Sequence, residues 1–232
     1  MFNIERQNEI MRLLQQRKSM TVSELSGLLF ASESTVRRDL SELERSGKVR
    51  RTFGGVVLEE TLNREVPLLF RRTQNHEAKQ RIAIKAKELV KNDMVIFLDA
   101  SSTVEHIVRF LGEFLNLTVI TNSPNTAVEL GNLGIRTYCT GGLLLDASQA
   151  FVGAEAEDLV RRFNADIMFF SSRGIDNDGN ITDSSAEESH IRMVMMANSK
   201  MKYYLYDTSK LGKKFLYNIC AAGDIDGCIC ED

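Results

Sequence analysis

From about residue 76 to the C-terminus, six short apolar runs suited to β-strands are separated by stretches of helical period. The runs are Met94–Leu98, Leu117–Ile120, Ile135–Cys139, Ile167–Phe170, Tyr203–Tyr206 and Cys228–Cys230. Ala78, Ile82, Ala86, Leu89 and Val90 mark a helix leading into the series. Val104, Ile107, Val108 and Leu111 mark another after the first run. Pro124, following Ser123, opens a third that carries Val128, and two more lie around Glu155–Phe163 and Ala186–Asn198. Consecutive parallel strands need a crossover, usually helical, so this alternation predicts an α/β domain with a mainly parallel sheet.

The strand ends carry the chemistry. The first run ends in Asp99-Ala-Ser-Ser-Thr103, the second in Thr121-Asn122-Ser123, and the third in Thr140-Gly141-Gly142. The fourth ends in Ser171-Ser172-Arg173-Gly174 and the fifth in Asp207-Thr-Ser-Lys210. In a parallel sheet these carboxyl ends share the edge where open α/β folds bind ligands. Ser101, Ser102 and Thr103 open a helix, so hydroxyls, free N–H groups and the helix dipole suit a phosphate there. Lys210 and Arg173 are cations available to the same anion. Asp99, Asn122 and Asp183 suit the hydroxyls of a sugar. Ser, Thr and Asp also cap helices in any α/β protein; five polar ends on one edge favour the pocket.

The N-terminal quarter has another pattern. Ile10, Leu13 and Leu14 give a helix within roughly residues 3–17 a core face. Thr21-Val22-Ser23-Glu24 fits a capping box, and Val22, Leu25, Leu28 and Leu29 make a short second helix. After the tight Phe30-Ala31 connection, Ser32 caps a third helix. Val36, Leu40 and Leu43 form its apolar stripe, and Gly47 is its C-cap. Ser34, Thr35, Arg37, Arg38 and Ser41 lie off the stripe. Residues 48–53 and 56–58 flank Gly54-Gly55, a two-residue hairpin signal. Three helices and a basic hairpin describe a winged helix-turn-helix. Ser34, Thr35, Arg37 and Arg38 would face a DNA groove, with Arg50 and Arg51 of the wing near phosphates. A solvated helix face and a hairpin that merely closes the small core are the plainer alternatives. The expected division is a head at 1–58, a linker at 59–75 and a body at 76–232.

Charge fits that division. The net charge of the 232-residue chain is −3. Residues 1–55 hold 10 Lys and Arg against 7 Asp and Glu; the remainder holds 19 against 25. A polyanion contact is therefore expected of the head alone. The start, MFNIERQNEIM, lacks the apolar core of an export signal, and no run approaches membrane-span length. Cys139, Cys220, Cys228 and Cys230 show no disulfide framework, and His76, His106 and His190 are scattered. Reduced thiols in a cytoplasmic protein, without metal or cofactor, are expected.

The segment SESTVRRDLSELERSGKVRRTFGG resembles the winged helix-turn-helix of DeoR-type bacterial regulators. The resemblance continues through IFLDASSTV, LTVITNS, CTGG, FVG, GIDNDGNITD, EESHI and DTSKLGKKF, from about Arg6 to Asp232. It implies a regulator, mostly a repressor, of a sugar-metabolism operon. It also implies a body like the ribose-5-phosphate isomerase and glucosamine-6-phosphate deaminase folds, a phosphorylated-sugar effector, and a homo-oligomer (dimer or tetramer). By motif match, Asp99, Ser101, Ser102 and Thr103 correspond to the phosphate loop. Thr121, Asn122, Gly141, Gly142, Gly153, Arg173, Asp183, Glu187 and Lys210 line the expected sugar pocket. Thr35, Arg37 and Arg38 fall on the DNA-reading helix. The loop departs from the family in reading Asp-Ala-Ser-Ser-Thr where many members have Gly-Thr-Thr after a small residue. The other reading is a sugar-phosphate isomerase or deaminase with an accessory head, using Asp99, Glu187 or Glu188 as acid and base. Against it, the sequence offers no nucleophile motif and no compelling histidine–carboxylate arrangement; His190, one helical turn from Glu187, reads as a surface or satisfied histidine.

Overall fold

A computed structural model describes residues 2–17, 19–52, 54–58 and 68–232. Two compact units divide the chain, Met1–Val66 and Pro67–Asp232.

In the first unit, α1 (Asn3–Arg17) is followed by β1 (Ser19–Thr21), α2 (Val22–Leu29), α3 (Glu33–Arg45), β2 (Val49–Thr52) and β3 (Gly55–Leu58). The capping box at α2 forms as its sequence requires: Thr21 accepts from the Glu24 amide, and the Glu24 carboxylate accepts from the Thr21 amide. The turn into α3 puts Phe30 in the left-handed region at φ 49°. Ser32 caps α3 by accepting from Thr35 N–H at 3.3 Å. At the other end Gly47, at φ 68°, closes a Schellman turn: Gly47 N–H donates to Glu44 and Lys48 N–H to Leu43. Val36, Leu40 and Leu43 are buried, as their spacing demands, whereas Leu28 is half exposed.

The hairpin differs from expectation by one residue. Thr52 pairs with Gly55, so Gly55, expected in the turn, instead begins β3. Gly54 supplies the positive φ of 82°. β3 is central in this small sheet because β1 pairs with its other edge. Arg6 and Asp39, both buried, join α1 to α3 through paired guanidinium–carboxylate hydrogen bonds.

The second unit begins with α4 (Leu68–Thr73), inside the stretch expected to link the domains. Buried Leu68 anchors it, and Leu68 N–H donates to Ala147 O. The expected linker residues 59–67, Arg64 among them, lie outside the described residues. Next come α5 (His76–Lys87), β4 (Val95–Leu98), a 3₁₀ turn (Val104–Ile107), α6 (Val108–Leu111), β5 (Thr118–Thr121), α7 (Pro124–Asn132) and β6 (Arg136–Cys139). A hairpin of β7 (Leu143–Leu145) and β8 (Ala150–Val152) precedes α8 (Ala154–Val160) and β9 (Ala165–Phe170). β10 (Gly174–Ile175), β11 (Asn180–Asp183), α9 (Ala186–Ala197), β12 (Ser199–Leu205), β13 (Tyr217–Ala221) and β14 (Gly227–Ile229) complete the chain.

Six strands form a sheet in the order β14-β12-β9-β4-β5-β6, every neighbouring pair parallel. All six are the apolar runs read from sequence. Alternate residues serve opposite cores. Ile96, Leu98, Val119, Ile167 and Phe169 pack with α5, α6 and α7 residues. Phe97, Ile120, Met168, Phe170 and Tyr204 pack with α8 and α9 residues. The separate antiparallel sheet β10-β11-β13 lies against this second core through Ile175, Ile181 and Ile219. β4, first in sequence, lies beside β9, so chain order reverses between them. Their carboxyl ends define the switch point where such sheets hold ligands.

Candidate functional site

In the head, α3 presents the predicted face. Ser34, Arg37 and Arg38 are exposed and Thr35 is half-buried. Arg37 pairs loosely with Glu33 at 3.2 Å, and Arg38 has no ion pair among the described residues. Arg51, on β2, donates to Ser41 Oγ at 2.8 Å and through its amide to Glu44 at 2.8 Å. The wing is thereby fastened to α3, with the Arg51 guanidinium exposed at its flank. The Arg50 side chain lies outside the described residues. A helix with two outward-facing arginines and hydroxyls at its N-terminal end can donate to phosphates and base edges.

In the body, the loop after β4 lies at the switch point. Ser101, Ser102 and Thr103 are buried, and their backbone N–H groups have no acceptor among the described residues. The helix that follows starts as a 3₁₀ turn. Val104 N–H is already taken by Ser101 Oγ at 3.2 Å, and His106 N–H by Thr103 O. The expected helix-terminus contribution to anion binding therefore shrinks, and the loop amides and side chains carry the site.

Two lysines bracket that loop. Lys210 donates to Thr103 Oγ1 at 3.2 Å and to Ser171 Oγ at 2.6 Å. Lys79, only 3% exposed, donates to Ser102 Oγ at 3.1 Å and to Arg71 O. Neither makes an ion pair among the described residues. Burial pushes Lys210 down to about 7, with Asp207 acting against it. Burial likewise pushes Lys79 down to about 8. Buried ammonium groups without an anion are costly, and an incoming phosphate would neutralise both.

On the other side of Ser171 lies a carboxylate cluster. Asp99 Oδ2 accepts from Ser171 N–H at 3.3 Å and from Arg192 Nε at 2.7 Å. Arg192 also donates to Asp183 at 2.8 Å and Glu188 at 3.2 Å, all four side chains being buried. Burial opposes the Arg192 charge, yet Asp183, Asp99 and Glu188 together hold its pKa above the ordinary value. Asp99 Oδ1 is buried without a partner among the described residues, as are the side-chain oxygens of Thr140 and Ser148. Such oxygens suit the hydroxyl donors of a ligand.

Asp99, Asp183, Thr103 and Lys210 are thus linked through Arg192 and Ser171, with Ser102 tied to Lys79 beside them and Ser101 capping the loop. Asn122 serves as a bolt, accepting from Ala100 N–H and donating to Phe151 O. Thr121 Oγ1 accepts from Ser123 N–H. Gly141 and Gly142 turn with positive φ from β6 into β7, and Gly153, at φ 94°, precedes α8. Arg173 is half-buried, its guanidinium 5.3 Å from the Phe215 ring centre. Glu187 is exposed and accepts from Ser185; its neighbour Glu188 is the carboxylate in the cluster.

Sequence reasoning missed Lys79 and Arg192, and placed Glu187 rather than Glu188 in the sugar pocket. Glu188 and Arg192 stand one helical turn apart, a pairing signal available in the sequence. Lys79 looked like any lysine on an amphipathic helix. The histidines also differ from expectation: His76 and His106, far apart in sequence, meet at 3.2 Å. His106 Nδ1 lies 2.8 Å from Ser102 O, and burial pushes its pKa to about 4. Among the described residues no group of three or more His, Cys, Asp or Glu is arranged to hold a metal ion. None of their helices is long and apolar enough to cross a membrane.

Comparison with known proteins gives two family matches along the chain. Residues 6–61 match the DeoR-like helix-turn-helix domain and residues 74–232 the DeoR C terminal sensor domain. The regulator GolR of Listeria innocua is 37% identical, over 97% of this chain and 89% of its own. The lactose phosphotransferase system repressor of Staphylococcus epidermidis is 32% identical, covering 98% and 92%. The L-fucose operon activator of Haemophilus influenzae is 33% identical, covering 94% and 87%. Among solved structures, the initiation factor eIF-2B of Pyrococcus horikoshii superposes with TM-score 0.50 at 16% identity. It covers 100% of this chain and 82% of its own, a likeness of fold. From both domain matches and these relatives, the chain belongs to the DeoR family of transcriptional regulators.

Proposed function

We propose that residues 1–58 bind operator DNA and residues 76–232 bind a phosphorylated sugar, with 59–75 joining them. The chain then acts as a repressor of a carbohydrate-metabolism operon in the cytoplasm, as a homo-oligomer. Relatives named for lactose and fucose systems support the sugar reading. The observation that carries it is the pair of buried lysines without ion-pair partners, Lys79 and Lys210, meeting the hydroxyls of Ser102 and Thr103. The phosphate would sit on the loop amides and lysines, and Asp99 Oδ1 would accept a sugar hydroxyl. Thr35, Arg37 and Arg38 would read bases, and Arg50 and Arg51 would hold phosphates.

Binding without turnover is the better-supported role. Asp99, Asp183 and Glu188, the buried carboxylates nearest the proposed sugar, each engage Arg192, which disfavours proton exchange with a substrate. A selection of binding fragments from a random duplex library, repeated with Arg38→Ala, tests the head. We expect enrichment of one sequence by the wild type and its loss in the variant. Equal enrichment by both would contradict the assignment of Arg38.

A further inference from the structure

Lys79 has a second partner that the effector site does not need. Its ammonium donates both to Ser102 Oγ, in the loop after β4, and to Arg71 O, in the last turn of α4. It therefore acts as a cationic cap on α4 as well as a flank of the anion site. α4 is the first described element after residues 59–67, which run from the head. It is also anchored by the buried Leu68 side chain, by Leu68 N–H to Ala147 O and by the bidentate Arg72–Glu105 pair. Glu105 lies two residues beyond Thr103, so α4 is tied twice to the segment that begins with the loop.

We propose that Lys79 is the positioning residue through which the effector reaches the linker: an anion on the loop draws its ammonium away from Arg71 O and loosens α4. This rests on the effector reading above. An ammonium among neutral oxygens turns toward a phosphate at the same distance, because the charge–charge attraction exceeds that of a carbonyl dipole. Arg71 O, which also accepts from Gln74 N–H at 3.3 Å, then loses its charged donor at the C-terminal end of α4. With six residues, α4 has little helical stability of its own. Loosening it changes the restraint on the chain leading to the head, so ligand affinity differs between the two states, as coupling requires.

Hydrogen exchange followed by mass spectrometry on the full chain tests this, with inorganic phosphate as the probe. In the wild type, phosphate slows exchange at residues 101–105 and speeds it at 68–73. The increase at 68–73 is about tenfold, the order set by losing one hydrogen bond to a charged group. In Lys79→Met, residues 68–73 exchange fast with or without phosphate, and Lys79→Arg restores the phosphate response. Slowing at 101–105 with no change at 68–73 in the wild type would overturn the coupling and leave the anion site standing. No slowing at 101–105 would overturn the anion site and the coupling together.

Discussion

Neighbouring charges in the Thr35–Asp39 run have opposite fates. Arg37 and Arg38 face solvent, while Asp39 is fully buried against Arg6. Removing one partner of a buried pair leaves the other charge uncompensated, so Asp39→Ala should destabilise the head by about 3–5 kcal/mol. A urea titration monitoring the head would show it; an unchanged midpoint would contradict the role of the pair. Phe30 is strained and nearly fully exposed at φ 49°. Asn tolerates that region, so Phe30→Asn should stabilise the head by about 1 kcal/mol, read as a higher melting temperature. A lower one would show that Phe30 packs on something in solution. Lys79 and Lys210 titrate near 8 and 7 in the ligand-free body. A bound phosphate dianion favours their charged forms, so binding takes up protons. Affinity should fall as pH rises through these values, and calorimetry in buffers of different ionisation enthalpy should show proton uptake. For folding without an anion the sign is reversed: the unfolded lysines bind more protons, so the cost of burying these groups is relieved as pH rises above about 7. An affinity flat across this range would contradict the lysine assignment.

Among the elements, the loop geometry depends on glycines that the pattern TGG marked. A Cβ on Gly142 would lie 2.7 Å from Val152 O and 3.2 Å from Ala156 Cβ, and its φ is 101°. Gly142→Ala should therefore lower the urea midpoint of the body and weaken phosphate binding, whereas Gly141→Ala, with open space around it, should suffer mainly backbone strain. Equal stability for Gly142→Ala and the wild type would mean that the turn relaxes freely. The six parallel strands were legible as short apolar runs; the central β9, β4 and β5 are covered on both faces and lose the alternation of half-exposed strands. β1, β7, β8 and β10 were not: each is two or three residues long, and pairing rather than periodicity defines it. The hairpin turn slipped by one because a Gly-Gly pair marks positive φ without saying which residue begins the strand. Within the site, Asp99, Ser102, Thr103 and Lys210 were readable from converging strand ends. Lys79 and Arg192 were not, because their role comes from tertiary contacts made by helices whose sequences look ordinary. Glu187 and Glu188 could not be separated without the phase of α9, which buries one and exposes the other.

On the scale of the whole molecule, two units of different chemistry share one chain. The head carries a helix that exposes two adjacent arginines, and the body carries buried cations beside an ion-paired carboxylate cluster. Regulation follows only if an anion occupying the body is bound with different affinity in the DNA-competent and DNA-incompetent states. The most direct measurement is thermal unfolding of the wild type and Lys210→Met against phosphorylated sugars and their unphosphorylated parents. A ligand that binds only the folded chain raises the midpoint by mass action. The account predicts that at least one sugar phosphate raises the wild-type midpoint, that its parent sugar does not, and that Lys210→Met loses most of the shift. Equal shifts from phosphate and parent, or no shift across the panel, would contradict a phosphate site at Ser101–Thr103.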